Sequence, residues 1–460
     1  MSTTFTQRLG SFISNFGFDE LPDTAIATAK RGMIDCIGVM VAGSGEPNVV
    51  IIDQCFRQVQ ERQEARLFFT DERVSAALAA MLNGVASHVL DYDDVAEPLG
   101  GHPSTVLVPA ILAEADALPG ITGRDMLRAY VAGYEVWAEV IGRDRDSHHM
   151  KGWHPTSVFG VLGAAASCAA LRRLSAGHAT HALGIAASLA SGLVSNFGSM
   201  TKSLHAGHAA QAGVLASRLA SAGLTSAPDA IEHPRGLLVA ASLNGKIDLS
   251  TPVESPRRNW RIVNHGLGIK KYPMCYATHR TIDGLADLVR EHSVAPEDIE
   301  QIIVLIGEKQ AAILRNHCPQ TALEAKFSIE FAVAATLVAG RIGFAELSDP
   351  FVRRQDVQGL MTKVEVATLA QEVANQEAIF SPYDQVTLKL KNGQVLHGRQ
   401  VNVARGDPLD PLSLDDLWLK FRDCLRHRGY SNDMALQLFS TLERLETVTA
   451  AQALPTLAKR

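Results

Sequence analysis

No two of the six cysteines, Cys36, Cys55, Cys168, Cys275, Cys318 and Cys424, stand at a C-x-x-C spacing. Six scattered thiols in a chain of 460 residues argue against a disulfide-stapled scaffold and read as reduced side chains of a cytoplasmic protein. Long blocks of Lys and Arg are also missing, and the formal net charge is -6, so the electrostatic footprint of a nucleic-acid binder is absent. The most apolar stretch, 158–171 (VFGVLGAAASCAAL), is too short to span a bilayer and is rich in small residues. The N-terminus, MSTTFTQRLGSF, has no charged segment followed by an apolar one, and no secretory signal is expected. Four catalytic or nucleotide-binding patterns are lacking: G-x-G-x-x-G after a strand, G-x-x-x-x-G-K-[ST], G-x-S-x-G and H-E-x-x-H. Nucleotide-binding, serine-hydrolase and zincin readings lose their usual support. No internal repeat or low-complexity tract stands out.

What is present is a hydrophobic fraction of 47%, ample for a large core or two domains. From residue 5 to about 245 the apolar spacing is helical nearly throughout, as in 24–43, 76–90, 104–118, 124–142, 156–172, 178–195 and 206–221. Several of these segments are dense in Ala, Gly and Ser, which lets helix backbones approach closely. Residues 250–275 bring prolines, glycines and charges, the mark of a crossing between domains. A helix at 278–292, a strand at 299–306 and a helix near 326–340 follow. Residues 384–403 alternate apolar and polar around Asn392-Gly393, which predicts a hairpin with a two-residue turn. Ser413 is placed to cap a helix over DDLWLKFRDCLRHR, and the last 50 or so residues are again helical. Periodicity alone leaves open whether the C-terminal helices form a third domain or return to the first.

Four segments carry polar residues where their surroundings are apolar or Gly-rich. The first is Asp91-Tyr92-Asp93-Asp94, followed by Gly100-Gly101-His102-Pro103-Ser104, a loop between two apolar helices. Carboxylates near an imidazole suit acid/base chemistry, because like charges raise one another's pKa. The bland reading is that the aspartates cap helices and stay in water. In Gly152-Trp153-His154-Pro155-Thr156-Ser157, His154 precedes a proline and is pushed away from helix, and Thr156 or Ser157 is expected to cap the helix that follows. His154 there is either a structural histidine or a partner for a bound anion. In the third, 196–208, Lys202 and His205 share a face if the helix has begun. Such a lysine either snorkels to water or meets an anion. His205-x-x-His208 alone is a poor metal site. The fourth, 271–279, holds Cys275, which reads as a structural thiol, and His279. His148, His149, His178 and His181 sit among charged or loop-like residues and are expected to face solvent.

Together these segments resemble the MmgE/PrpD family, which includes 2-methylcitrate dehydratase, cis-aconitate decarboxylase and iminodisuccinate epimerase. The matching stretches are SHVLDYDDVAEPLGGHPSTVLVPA, GWHPTSVFGVLGAAA, NFGSMTKSLHAGHAAQAGVLAS, KYPMCYATH, EAKFSIEF and GDPLDPLSLDDLWLKFRDC. They run in the family's order over residues from about 80 to 430. The resemblance implies a mainly α protein with an inserted α+β domain. A large all-helical domain would be formed by both chain ends, 1–267 and 403–460, and a smaller lid domain by 268–402. It also implies a homodimer, an active site between helical domain and lid, and no cofactor or metal. The family's catalytic positions fall on Asp91, His102, His154 and Lys202. Thr201, His205, Cys275 and His279 join Lys202 and His154 as substrate-binding candidates. Two departures stand out. Val95 follows the D-x-D-D run where the decarboxylase branch has Thr, and Phe331 ends EAKFSIEF where many relatives have Tyr. The Asp91–His102 loop looks one residue longer than in that branch, and GWHPTS, NFGSMTK and CYATH look closest to the epimerase branch.

The implied chemistry removes a proton, or CO2, from a carbon beside a carboxylate of a small di- or tricarboxylic acid. Lys202 and His154 would bind carboxylate, with a bound anion keeping histidine protonated. Asp91 and His102 would exchange the proton. A lyase on a citrate-like acid is the leading expectation, and an epimerase of a dicarboxylate such as iminodisuccinate the alternative. A catalytically silent carboxylate-binding paralogue is the reading from another class, favoured by Phe331.

Overall fold

Close helix crossings built on glycine organise the N-terminal half of this chain. The computed structural model describes residues 3–56, 62–144, 146, 148–251, 259–369, 381–455 and 457. Its Cα packing divides into two units, Met1–Ile269 with Leu417–Arg460, and Lys270–Asp416. Among its described residues the first is helical apart from a two-stranded ladder, Ala65–Arg66 with Arg73–Val74, and isolated bridges. No single helix among the described residues is long and apolar enough to cross a membrane.

In the first unit the helix Thr201–Ser221 packs against Ala76–His88 and Gly160–Leu171, and Gly123–Ile141 lies on Gly160–Leu171. The Ala-, Gly- and Ser-rich faces are what permit this. A Cβ placed on Gly84 would stand 2.8 Å from the Gly207 Cα, and one on Gly207 would stand 2.4 Å from the Met81 carbonyl oxygen. On the next crossing, a Cβ on Gly213 would stand 2.3 Å from that of Ala164. The first of these contacts sets the distance between the helix that ends in His88 and the helix that carries Lys202 and His205. Ser75 starts the former, its side chain accepting from the Leu78 amide at 3.4 Å.

The second unit is α+β. Its sheet runs Val364–Leu369, Ile299–Gly307, Gln385–Leu390, Val395–His397, with the first pair parallel and the others antiparallel. Ile302, Val304 and Ile306 alternate inward, as do Val386, Leu388 and Leu390 of the neighbouring strand. The helices His279–His292 and Ile329–Ala339 share its apolar core. Phe331 is fully buried in that core, edge-on to Phe351 at 6.4 Å between centroids.

Three expectations need correction. The hairpin after Leu390 has a three-residue loop, Lys391-Asn392-Gly393. The Gly393 amide donates to the Leu390 carbonyl, the Leu390 amide to the Gln394 carbonyl, and Gly393 sits at φ 86°. That is a turn followed by a left-handed bulge residue, the next commonest hairpin after the two-residue form. Second, the boundary read at 402/403 lies inside the second unit, which extends to Asp416. The Arg405 amide donates to Asp283 at 2.7 Å, its guanidinium meets Asp287 at 2.7 Å, and the Tyr276 hydroxyl donates to Asp407 at 3.2 Å. Third, His148 is buried, paired with Asp144 at 3.2 Å and edge-on to Phe159, so the polar sequence around it does not put it in water. Part of the Pro- and Gly-rich crossing, 252–258, lies outside the described residues. Ser413 caps the helix Leu414–His427 as read, accepting from the Asp416 amide at 3.0 Å.

Gly207→Ala should cost about 1–3 kcal/mol, because the added methyl meets backbone that has nowhere to go. Gly177→Ala, with open space around its Cβ, should be neutral or stabilising by up to about 1 kcal/mol. Urea unfolding of the two variants checks the contrast; equal costs would contradict the close-crossing account.

Candidate active site

The helix Ala76–His88 ends at a turn in which Asp91 takes a left-handed backbone, φ 53°. Asp is among the few non-glycine residues that tolerate this. The turn lets three carboxylates of one short run face three different partners. Asp91 accepts from the Lys202 ammonium at 2.7 Å, both side chains being about a quarter exposed. Asp93 is fully buried; its Oδ2 lies 2.9 Å from His88 Nδ1 and 3.0 Å from His102 Nδ1. Asp94, also fully buried, accepts from the Ser104 amide at 3.2 Å and from the Ser104 hydroxyl, which in turn contacts the Tyr130 hydroxyl at 2.6 Å.

The bland reading of the aspartates is therefore half right: Asp94 does cap the helix Ser104–Ala117, but from a dry interior rather than from water. Burial, and the neighbouring charge of Asp35, push its carboxyl well above the usual range. Asp93 goes the opposite way. Burial alone would raise it, but His88 and His102 together hold it well below the usual range. One carboxyl is pulled toward its charged form and its neighbour toward its neutral form, in the same short loop.

The loop is fastened along its length. Val95 and Gly268 exchange backbone hydrogen bonds at 2.8 Å, the Ala96 amide donates to Gly101, and the Trp137 indole donates to the Leu99 carbonyl at 3.2 Å. A Cβ on Gly101 would stand 2.6 Å from the Thr156 hydroxyl, so the loop lies directly against the His154-Pro155-Thr156 segment. Thr156 and Ser157 do not cap the helix Pro155–Val158; His154 holds the N-cap position without a side-chain bond. Their hydroxyls serve the site instead. Thr156 accepts from the His102 amide at 3.3 Å, and Ser157 donates to the His205 carbonyl at 3.2 Å.

His154 and His205 face one another, Nδ1 to Nδ1, at 3.1 Å. One of these nitrogens must carry the proton and the other accept it, which two cationic rings could not do. Burial, then His88, Lys202 and His102, hold His154 well below its ordinary pKa, and burial does the same for His205. Without an anion beside it, the surroundings of His154 favour the neutral imidazole. Its ring lies 4.8 Å from that of Phe197, and Lys202 Nζ stands 5.8 Å from the same Phe197 centroid.

Sequence models of the MmgE/PrpD N-terminal and C-terminal domains match residues 7–250 and 272–444. The chain belongs to the MmgE/PrpD family. It is 29% identical to a mouse (Mus musculus) protein named cis-aconitate decarboxylase, over all of this chain and 94% of that protein. The human (Homo sapiens) protein of the same name is 28% identical over all of this chain and 95% of its own length. An Aspergillus terreus protein of that name is 24% identical, over 78% of this chain and 77% of its own.

Of the residues picked out in the MmgE/PrpD sequence, Asp91, His102, His154, Lys202 and His205 converge in the first unit. Thr201 begins the helix that carries Lys202, its amide donating to the Ser199 hydroxyl at 3.3 Å. Cys275 and His279 belong to the second unit. Cys275 is half-buried, and His279 is buried between the rings of Tyr272 and Tyr276 with Nε2 3.4 Å from the Met274 carbonyl. His88 and the distinct role of Asp93 were not assigned from sequence. The only signal for His88 was a polar residue at the end of an otherwise apolar helix. His88, Asp91, Asp93 and His102 bring one ligand-type atom each to within 4.8 Å of one another, but the Lys202 ammonium already supplies the positive charge on Asp91.

His88 is pushed down to about 4 by burial, against the pull of Asp93. The unfolded chain takes up that proton near pH 6.5, so between about 6.5 and 4 the unfolded state binds more protons and acid removes stability. The gap in unfolding free energy between wild type and His88→Asn should narrow as pH falls through that window. Urea titrations at several pH values check this; a constant or widening gap would contradict the buried neutral imidazole.

Proposed function

We propose that this protein is a cofactor-independent lyase that removes CO2 from a small unsaturated tricarboxylic acid of the cis-aconitate kind. The observation that carries the reading is the Lys202–Asp91 pair at 2.7 Å, set beside His102 and the His154–His205 pair. The full-length similarity to proteins named cis-aconitate decarboxylase supports it.

In this reading a substrate carboxylate takes the place of Asp91 on the Lys202 ammonium. His154 contributes a neutral N–H donor. The bond to the departing carboxyl breaks, CO2 leaves, and the electron pair spreads into the adjoining unsaturated system and the retained carboxylate. Lys202 stabilises that charge in surroundings largely shielded from water. Asp91, released from Lys202, takes up a proton from solvent, and that proton, given by Asp91 or by His102 held on Asp93, completes the new C–H bond. A second carboxylate in direct contact with the reacting carbon would oppose the developing charge. The low-pKa Asp93 avoids this by being committed to two imidazoles. A homodimer in the cytoplasm belongs to the same proposal.

The test is turnover in heavy water followed by NMR, with cis-aconitate, 2-methylcitrate and iminodisuccinate offered in parallel. The expected result is CO2 release from cis-aconitate, with one deuterium in the unsaturated dicarboxylic product. Lys202→Met should lower kcat/KM by at least about 10²-fold. Dehydration of the citrate analogue or racemisation of iminodisuccinate without CO2 release would replace decarboxylation by the sister chemistry. An unimpaired Lys202→Met enzyme would remove the assigned role of Lys202.

A further inference from the structure

The carbonyl between the two working carboxylates is held from below by a residue at the far end of the chain. Lys420 lies on the helix Leu414–His427, within the LDDLWLKF stretch. Its ammonium is buried, 4% exposed, and donates to the Tyr92 carbonyl at 2.8 Å across 328 residues of sequence. It pairs with Asp35 at 2.5 Å and stands 4.0 Å above the centre of the Tyr92 ring. Asp35 is likewise buried, on the helix Asp23–Gly43.

A buried Lys–Asp pair is a poor source of stability, because desolvating both charges offsets most of their attraction. Two apolar side chains of similar volume would serve a core as well. What they would not supply is an N–H donor for the Tyr92 carbonyl. Tyr92 joins Asp91, in its left-handed conformation, to Asp93, which faces inward toward His88 and His102. Those two directions require the peptide between them to keep one orientation, and its carbonyl is where Lys420 grips.

We propose that Lys420, paired with Asp35, is a positioning residue that fixes the Asp91–Asp93 turn and so aims Asp91 at Lys202 and Asp93 at the two imidazoles. Its effect on turnover rests on the function proposed above; its effect on loop geometry does not. Removing Lys420 alone strands the Asp35 charge, so the informative variant is Asp35→Asn/Lys420→Met, in which the pair is replaced by neutral groups of similar size.

Three measurements on the full-length protein test this. The double variant should keep a Tm close to wild type while kcat falls about 10- to 100-fold and KM changes little, the signature of misplacement rather than of lost binding. Its crystal structure should show Asp91 out of the left-handed region and the Lys202–Asp91 contact broken. Asp91→Asn, assayed alongside, separates the two proposals. If Asp91→Asn is inactive and the double variant turns over as wild type, only the role of Lys420 is lost. A fully active Asp91→Asn would defeat the catalytic reading itself. An unchanged loop in the double variant, or failure of that variant to fold, overturns the positioning role whatever the activity, since the pair would then be either dispensable or simply structural.

Discussion

Crowding of buried negative charge is the constraint around which this site is arranged. Asp35, Asp93 and Asp94 are all buried, and each raises or is raised by another. Carboxylates this close cannot all be charged and alike in a low-dielectric interior. The protein resolves the conflict by giving each a different partner. Asp35 has Lys420, Asp93 has two imidazoles, and Asp94 has hydroxyl and amide donors and is pushed toward its neutral form. Asp91, the partly exposed member of the run, is left to Lys202. The sorting depends on one backbone feature, the left-handed turn at Asp91, and that turn in turn depends on the fastenings of the loop behind it.

The same arrangement holds His88 and His154 below the ordinary histidine range. Lys202 and His102 stand close to His88 and His154 and, with burial, oppose any further positive charge. A site that sets one partly exposed ion pair beside imidazoles of lowered pKa is open to an anion at Lys202. Displacing Asp91 from Lys202 exchanges one carboxylate for another on the ammonium, and the added negative charge favours uptake of a proton by the released Asp91, which it can then give. Resting geometry and proposed chemistry are linked through that single exchange.

Much of the architecture was legible in the sequence. Helical periodicity located the helices of the first unit, and alternation in 384–390 located a strand, because those patterns follow from which side chains must be dry. The parallel strand Val364–Leu369 was not anticipated, since its partner Ile299–Gly307 lies far off in sequence and no hairpin signal marks it. Asp91, His102, His154 and Lys202 were found through family motifs. His88, Asp93 and Lys420 were not given roles, for one reason. Each acts by the direction its side chain takes inside the fold, and neither spacing nor composition encodes that. Lys420 could not be connected with Tyr92 without knowing that the C-terminal helix runs beneath the loop. Phe331 sits in an apolar core against Phe351, so at this position the chain carries packing.

The central claim is that Lys202 gives up Asp91 to a carboxylate of the substrate. A crystal structure of the protein with tricarballylate, a saturated tricarboxylic acid that cannot react, tests it most directly. The account predicts a ligand carboxylate within hydrogen-bond distance of Lys202 Nζ, with Asp91 turned away from it. A bound tricarboxylate that leaves the Lys202–Asp91 pair intact, with no ligand oxygen in reach of that ammonium, would contradict it.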